Sequence, residues 1–156
     1  MIKIGITGQS GFLGRHLYNY LSLFEDFVLI PFQDNYFQSD LQLEEFCINC
    51  DTIVHFAGIN RHNDPDVIYH ENIDLTEKLL QACDKSNEIK HILFSSSIQE
   101  YEDNIFGKAK KECREMIEKW STRNKKIFTG LIIPNVFGPF GNPYYNSVVA
   151  TFSHQI

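Results

Sequence analysis

The sequence lacks three features that would mark particular classes of protein. It contains no apolar run long enough for a signal peptide or a membrane span. Basic residues are not in excess: 14 lysines and arginines against 20 acidic residues give a net charge of −6, which argues against nucleic-acid or membrane binding. There are only four cysteines, and no second C-x-x-C or histidine pair completes a zinc site. We therefore expect a cytoplasmic protein that binds small molecules, without metal, nucleic acid or membrane.

The length and the hydrophobic pattern predict one α/β domain. A chain of 156 residues with 43% apolar content can bury one ordinary core, so residues 1–156 form a single domain. Strand-length apolar runs alternate with helical periodicity, which is typical of a Rossmann-like, doubly wound parallel sheet. The predicted strands are 2–7, 27–32, 52–56, 89–95 and 127–133, and the predicted helices are 11–24, 41–50, 66–85, 104–123 and 144–154.

Three glycines follow the first predicted strand and open the first predicted helix. Gly8 suits a sharp strand-to-helix turn, Gly11 lets a ligand approach the backbone, and Gly14 lets the helix pack closely on the strand. The pyrophosphate of a dinucleotide would then meet the free N–H groups at the helix N-terminus. A glycine triplet alone could be a surface turn with a helix cap, but here strand, turn and helix come in the required order.

The spacing G-x-x-G-x-x-G resembles the short-chain dehydrogenase/reductase superfamily, and T-G-x-x-G-F-L-G is typical of its extended branch, which modifies nucleotide sugars. Residues 51–58 (D-T-I-V-H-F-A-G), 94–97 (F-S-S-S) and 134–139 (P-N-V-F-G-P) are similar to further family segments, so the resemblance covers nearly the whole chain. It implies that NADP or NAD is bound by Gly8, Ser10, Gly11, Phe12, Leu13, Gly14, Arg15, Asp34, Phe56, Ala57, Gly58 and Lys110.

The signals for the choice between NAD and NADP conflict. Asp34 lies about 20 residues after Gly14, where an acid would accept the 2′-hydroxyl of NAD. Arg15, beside the glycine turn, would instead favour the 2′-phosphate of NADP. A solvated loop acid is an equally good interpretation of Asp34, and both cofactors stay open.

The resemblance also implies a catalytic tyrosine, which this sequence lacks. The family block N-P-Y-G-x-S-K corresponds to residues 104–110, in which Lys110 is kept and Phe106 occupies the tyrosine position. Ser97 matches the family's catalytic hydroxyl residue, whereas phenylalanine has no proton to donate. Tyr101 lies outside the face of the helix that carries Lys110. Phe106 also belongs to an apolar stripe, so it can be interpreted as helix packing: Phe106, Ala109, Cys113, Ile117 and Trp120.

A more specific resemblance is to the reductases of capsular-polysaccharide synthesis that form UDP-N-acetylfucosamine precursors. It rests on residues 57–61, 95–99 and 143–152 and implies reduction of a 4-keto sugar nucleotide, a UDP-sugar, with NADPH. Asn135 and Asn146 are expected at the substrate site, although asparagine in a loop is common turn chemistry. Ile132 replaces the family's arginine, and the chain ends where such enzymes continue into a smaller substrate-binding domain, so we expect most of that domain to be missing.

Three interpretations of function stay open at this point. The chain is a nucleotide-sugar reductase or epimerase, or its N-terminal part, that uses Ser97 and Lys110. Alternatively, it is a non-catalytic dinucleotide-binding module that serves as a partner or sensor. It could also be a gene fragment whose other half carries the substrate site. In each case we expect an exposed apolar patch and a homo-oligomer.

Overall fold

A five-stranded parallel sheet forms the centre of the computed structural model, which describes residues 1–145 and 147–156. The strands lie in the order β2-β1-β3-β4-β5. Neighbouring strands are in a register that places Thr7 beside His55 and His55 beside Phe94. The carboxyl ends of β1 and β3 therefore lie level at one edge of the sheet, and β4 continues beyond them to Ser97. The strand bounds are β1 Ile2–Thr7, β2 Phe27–Ile30, β3 Thr52–His55, β4 His91–Ser97 and β5 Ile127–Ile133.

Helices connect the strands and cover both faces of the sheet. They are α1 Phe12–Leu21, α2 Asp40–Ile48, α3 Pro65–Cys83, α4 Ile105–Arg123 and α5 Val148–Gln155. Two short 3₁₀ helices, Asp34–Gln38 and Ile98–Tyr101, follow β2 and β4. No described helix is both long and apolar enough to cross a membrane.

Apolar side chains form one core on each face of the sheet. The larger core lies between the sheet and helices α2, α3 and α4, with Ile53, Leu79 and Ile117 fully buried in it. On the opposite face Ile4 and Ile6 of β1 pack against Leu17 of α1 and its neighbours. Burial of both faces explains why β2, β3 and the first half of β4 contain consecutive apolar residues rather than an alternating pattern.

The four cysteines belong to the larger core and are all free. The Sγ atoms of Cys47 and Cys83 lie 3.9 Å apart. Burial raises the pKa of the Cys50 and Cys83 thiols, so they remain neutral. The C-x-x-C pair, Cys47 and Cys50, is thus part of the packed core.

The doubly wound parallel sheet predicted from the sequence is confirmed, and most element boundaries differ by one to four residues. Helix α1 ends at Leu21 rather than at residue 24. Strand β2 ends at Ile30 rather than at residue 32, because the N–H of Phe32 donates to the side-chain oxygen of Gln9. β4 runs to Ser97 instead of residue 95. The last helix begins at Val148, not at residue 144, because residues 143–145 form a turn.

The strand order changes direction between β1 and β3, whose outgoing connections run to opposite faces of the sheet. In open α/β sheets the crevice at such a point, outside the carboxyl ends of the strands, is where ligands bind. Among the described residues, the same edge of this sheet carries a cleft of about 1130 Å³.

Candidate dinucleotide site

The turn between β1 and α1 depends on glycine at two positions. Gly8 has a φ of 67°, in the left-handed region, and a Cβ there would lie 2.7 Å from the backbone nitrogen of Ala57. A Cβ at Gly14 would overlap the carbonyl oxygen of Gly8. The turn is therefore held tightly between β3 and the first turn of α1, as the spacing predicted.

The N-terminus of α1 opens into the cleft without a capping side chain. Gly11 is the N-cap residue and provides no side-chain acceptor for the first N–H groups of the helix. A Cβ at Gly11 would contact only the oxygen of Gly8, at 3.2 Å, so the space in front of it is otherwise open. Gly11, Phe12 and Leu13 line the cleft. This arrangement fits a pyrophosphate, which would accept hydrogen bonds from the uncapped N–H groups.

The two residues that bear on the choice of cofactor lie on different sides of the glycine turn. Asp34 is exposed at the start of the 3₁₀ helix after β2, and its carboxylate accepts a 2.6 Å hydrogen bond from the Ser10 hydroxyl. Neither Asp34 nor Ser10 lines the cleft, whereas Arg15 does. The Ser10–Asp34 contact places an acid beside the turn, and Arg15 places a base at the cleft.

A buried chain of hydrogen bonds joins the ends of β1 and β3 to α3. The N–H of Ala57 donates to the hydroxyl of Thr7 at 3.3 Å, and this hydroxyl lies 2.7 Å from Nδ1 of His55. Nε2 of His55 lies 3.3 Å from the hydroxyl of Thr76, which itself donates to the carbonyl of Asn72. Thr76 is thus an acceptor for His55, so the imidazole carries its proton on Nε2 and accepts at Nδ1.

His55 is neutral in this network. Burial, with a smaller contribution from the positive charge of Lys110, lowers the pKa of His55 to about 3. The side-chain amide of Asn72 donates to the carbonyls of Ile59 and Ile68, both at 2.7 Å. Asn72 therefore fixes the loop after β3, which carries Gly58 along the cleft.

Lys110 extends from α4 into the cleft between aromatic rings. Its Nζ lies 4.8 Å from the centroid of the Phe94 ring and 5.8 Å from that of Phe106. A Cβ at Gly58 would lie 3.5 Å from this nitrogen. Lys110 is only 7% exposed, and burial lowers its pKa to about 8. None of the ion pairs between described residues includes it.

Ser97 and Phe106 also line the cleft. Ser97 is the last residue of β4, and its hydroxyl accepts a 3.2 Å hydrogen bond from the N–H of Gln99. Phe106 is only half-buried, unlike the other four residues of its apolar stripe. Phe106 therefore forms part of the cleft wall, and helix packing alone does not account for its position. Tyr101 is 76% exposed and lies outside the cleft.

A buried carboxylate connects β4 to α4. Glu100 accepts a 2.5 Å hydrogen bond from the Ser96 hydroxyl and a 3.1 Å hydrogen bond from Nε of Arg114. Nearby, a Cβ at Gly107 would overlap the carbonyl oxygen of Gln99. The start of α4 is thus pressed against the segment after β4, which fixes the position of Lys110 relative to Ser97.

Aromatic residues from the last quarter of the chain form one side of the cleft. The Tyr145 hydroxyl donates to Oδ1 of Asn60 at 2.8 Å, and Arg61 stacks over the Tyr145 ring. Asn135 is exposed and lines the cleft, while Asn146 lies outside the described residues. The larger apolar residues on this side are Val136, Phe137, Phe140, Tyr144, Val148 and Phe152.

Most of the site residues predicted from the sequence line the cleft, but the cleft also has many lining residues that were not predicted. Ala57 does not line the cleft and instead donates to Thr7. The Thr7–His55–Thr76 network was missed, although the family segment at residues 51–58 contains its central residue, His55. Tyr145 and Asn60 were missed because their contact joins residues that are 85 positions apart.

Residues 4–156 match the NAD dependent epimerase/dehydratase family. The chain belongs to this family. It is 34% identical over 155 residues to a UDP-2-acetamido-2,6-beta-L-arabino-hexul-4-ose reductase from Pseudomonas aeruginosa, covering 99% of this chain and 41% of that protein. It is also similar to the capsular polysaccharide assembling protein CapF from Staphylococcus aureus, with a TM-score of 0.80 and 29% identity over 97% of this chain and 39% of CapF. Both bear out the capsular-polysaccharide resemblance.

A second solved structure supports the fold alone. RMD from Pseudomonas aeruginosa, complexed with NADPH, has a TM-score of 0.86 at 21% identity and matches 99% of this chain and 61% of its own length. The chain thus spans about two fifths of the length of the first two relatives.

Proposed function

We propose that this chain binds NAD or NADP across the carboxyl edge of its sheet and forms the dinucleotide-binding part of a nucleotide-sugar reductase of polysaccharide synthesis. The observation that carries the proposal is the uncapped N-terminus of α1 at Gly11, which opens into the same cleft as Ser97 and Lys110. The similarity to a reductase that acts on a UDP-sugar supports a UDP-sugar as the substrate class.

In this proposal each part of the cleft has one role. Residues from Gly8 to Arg15 hold the pyrophosphate and the adjacent ribose, and Phe56 and Gly58 border the dinucleotide. The cofactor, when bound and reduced, supplies a hydride. Ser97 holds the carbonyl oxygen of the sugar, Lys110 lies beside the reacting groups, and Asn135 contacts the substrate.

Calorimetric titration with NAD and with NADP tests cofactor binding and also distinguishes the two cofactors. Gly11→Val should abolish binding, because the added methyl groups would fill the space that the pyrophosphate needs. The fold should survive, since a Cβ at Gly11 has only one close neighbour. Asn19→Val, at an exposed position near the other end of α1, is the matched control and should bind like the parent. Equal affinity of Gly11→Val and the parent would refute the proposed site.

A non-catalytic binding module is the second candidate, and Phe106 favours it. The cleft retains Ser97 and Lys110 but has no phenol at the position between them, and a well-placed general acid typically contributes about 10²- to 10⁴-fold in rate. Dinucleotide binding without consumption of NADH or NADPH in the presence of a 4-keto sugar nucleotide would support a partner or sensor function.

We also propose that the chain self-associates and acts in the cytoplasm as one domain, 1–156. The support for self-association is the exposed apolar side of the cleft, which includes Phe137, Phe140 and Phe152, because large exposed apolar patches mark interaction surfaces. Sedimentation velocity over a range of concentrations tests it, and a strictly monomeric protein that binds no apolar dye would contradict it.

A further inference from the structure

Lys110 differs from the other lysines in having a buried side chain that reaches the cleft and has no acidic partner. Lys78, Lys90 and Lys108 are each paired with an aspartate within 2.8 Å, at the surface. Lys110 is buried, and no described residue forms an ion pair or a hydrogen bond with its Nζ. Burying an unpaired charge destabilises a fold, so its retention at the cleft calls for a reason other than packing.

The other protonated side chains of the described cleft lining are poor candidates for a proton donor. Arg15 does not release its proton in proteins. Tyr144 is 62% exposed, and its ring packs against His154. Tyr145 already donates its hydroxyl proton to Asn60. Lys110 alone is buried and has N–H bonds without an acceptor.

Resting on the proposed function, we infer that Lys110 is the general acid of this chain and gives the carbonyl oxygen of the substrate the proton that Phe106 cannot supply. As the hydride of the reduced dinucleotide bonds to the carbonyl carbon, the electron pair of the C=O π bond moves to the oxygen. An N–H bond of Lys110 breaks and an O–H bond forms. The products are an alcohol, the oxidised dinucleotide and a neutral amine, which regains a proton from water in the open cleft.

The charged groups around Lys110 agree with this role. His55 on β3 is neutral, because burial lowers its pKa to about 3. Burial raises the pKa of the Cys113 thiol on α4, so the thiol is neutral as well. The rings of Phe94 and Phe106 exclude water from two sides. With a pKa of about 8, Lys110 is protonated at neutral pH and releases its proton far more readily than an ordinary lysine.

The first test follows the titration of the lysines without any substrate. Protein labelled with ¹³C-lysine should show one Cε resonance that titrates near pH 8, and Lys110→Arg should remove this resonance. Lys111→Arg, an exposed neighbour on the same helix, is the matched control and should leave it in place. If all lysines titrate above pH 10, the inference is wrong.

The second test measures NADPH or NADH consumption with a 4-keto sugar nucleotide as a function of pH. The rate should be constant below about pH 8 and fall tenfold per pH unit above it, because the acid must be protonated. Lys110→Arg retains the positive charge but cannot release a proton, so it should lose at least about a hundredfold in rate while binding the dinucleotide. Lys111→Arg should match the parent. The pH profile of the parent decides the matter if Lys110→Arg does not fold.

The remaining outcomes separate this inference from the proposed function. A rate that falls only near pH 10 and is abolished in Tyr145→Phe would assign the proton to Tyr145 and overturn the inference. A parent that binds the dinucleotide but consumes none would also overturn it, while leaving cofactor binding intact. If neither dinucleotide binds, the proposed function itself fails.

Discussion

Replacing Glu100 with glutamine should measurably destabilise the protein, because this carboxylate is the buried link between β4 and α4. Its side chain is 2% exposed and accepts hydrogen bonds from Ser96 and Arg114. Hydrogen bonds to a charged group contribute about 1.5–3 kcal/mol each, against about 1 kcal/mol for neutral ones. Glutamine keeps the shape but loses the charge, and with it about 1–4 kcal/mol over the two bonds.

The destabilisation is limited by the alternative partner of Arg114. This guanidinium is 25% exposed and lies 3.6 Å from Glu118, so it is not left buried and unpaired when the charge of Glu100 is removed. We therefore expect a loss of about 2 kcal/mol in the free energy of unfolding, in the lower half of that range. For a domain of this size, such a loss lowers the melting temperature by about 4–8 °C.

Urea unfolding followed by circular dichroism measures this change, and Glu118→Gln is the matched control. Glu118 contacts the same guanidinium but is 57% exposed, and exposed ion pairs contribute about 0–1 kcal/mol. The control should therefore change the free energy of unfolding by less than about 0.5 kcal/mol. If the two variants lose equal stability, or Glu100→Gln loses none, the buried carboxylate does not hold β4 and α4 together.

Two further predictions concern the cleft and the buried histidine. In the Lys110→Arg background, Phe106→Tyr should raise the rate of NADPH-dependent reduction of a 4-keto sugar nucleotide by at least about a hundredfold, because it supplies a phenol as proton donor on a ring whose centroid lies 5.8 Å from the Lys110 nitrogen. The free energy of unfolding should fall as the pH falls from 6.5 towards 3, measured by urea unfolding at each pH. Between these values the unfolded chain binds a proton that His55, with its pKa lowered to about 3, does not bind in the fold.

Each of these predictions has a control. In the same background Phe106→Leu should give no gain in rate, and no gain from Phe106→Tyr would mean that a phenol at position 106 does not reach the carbonyl oxygen. For the acid dependence, His154→Gln changes an exposed histidine and should leave the pH profile unaltered. His55→Gln should flatten the profile, and an unchanged slope would mean that other groups cause the acid sensitivity.

The parts of the site that depend on local backbone geometry could be predicted from the sequence. The glycine turn is one case, since the left-handed φ of Gly8 and the close approach of Gly14 to Gly8 are set within a few residues. The shared edge at which β1, β3 and β4 end follows from parallel strand pairing of three apolar runs. The position of Phe106 and Lys110 on one helix likewise followed from their spacing.

The parts that depend on contacts between distant segments could not be predicted. The hydroxyl of Tyr145 reaches Asn60 only because the loop after β5 folds back over the cleft. The half-buried position of Phe106 depends on how closely α4 approaches the segment after β4, whereas the apolar stripe in the sequence also fits simple packing. The strand β4 extends to Ser97 because it pairs with β5 along its whole length.

The close contact at Gly107 has an evolutionary consequence. Since no side chain fits between this residue and the carbonyl of Gln99, α4 cannot rotate or slide without losing the contact, and position 106 keeps facing the cleft whichever residue it carries. A phenylalanine codon becomes a tyrosine codon by one base change. Gain or loss of the phenol is therefore a single mutational step that leaves the surrounding scaffold untouched, and lineages of such proteins can cross between the two forms repeatedly.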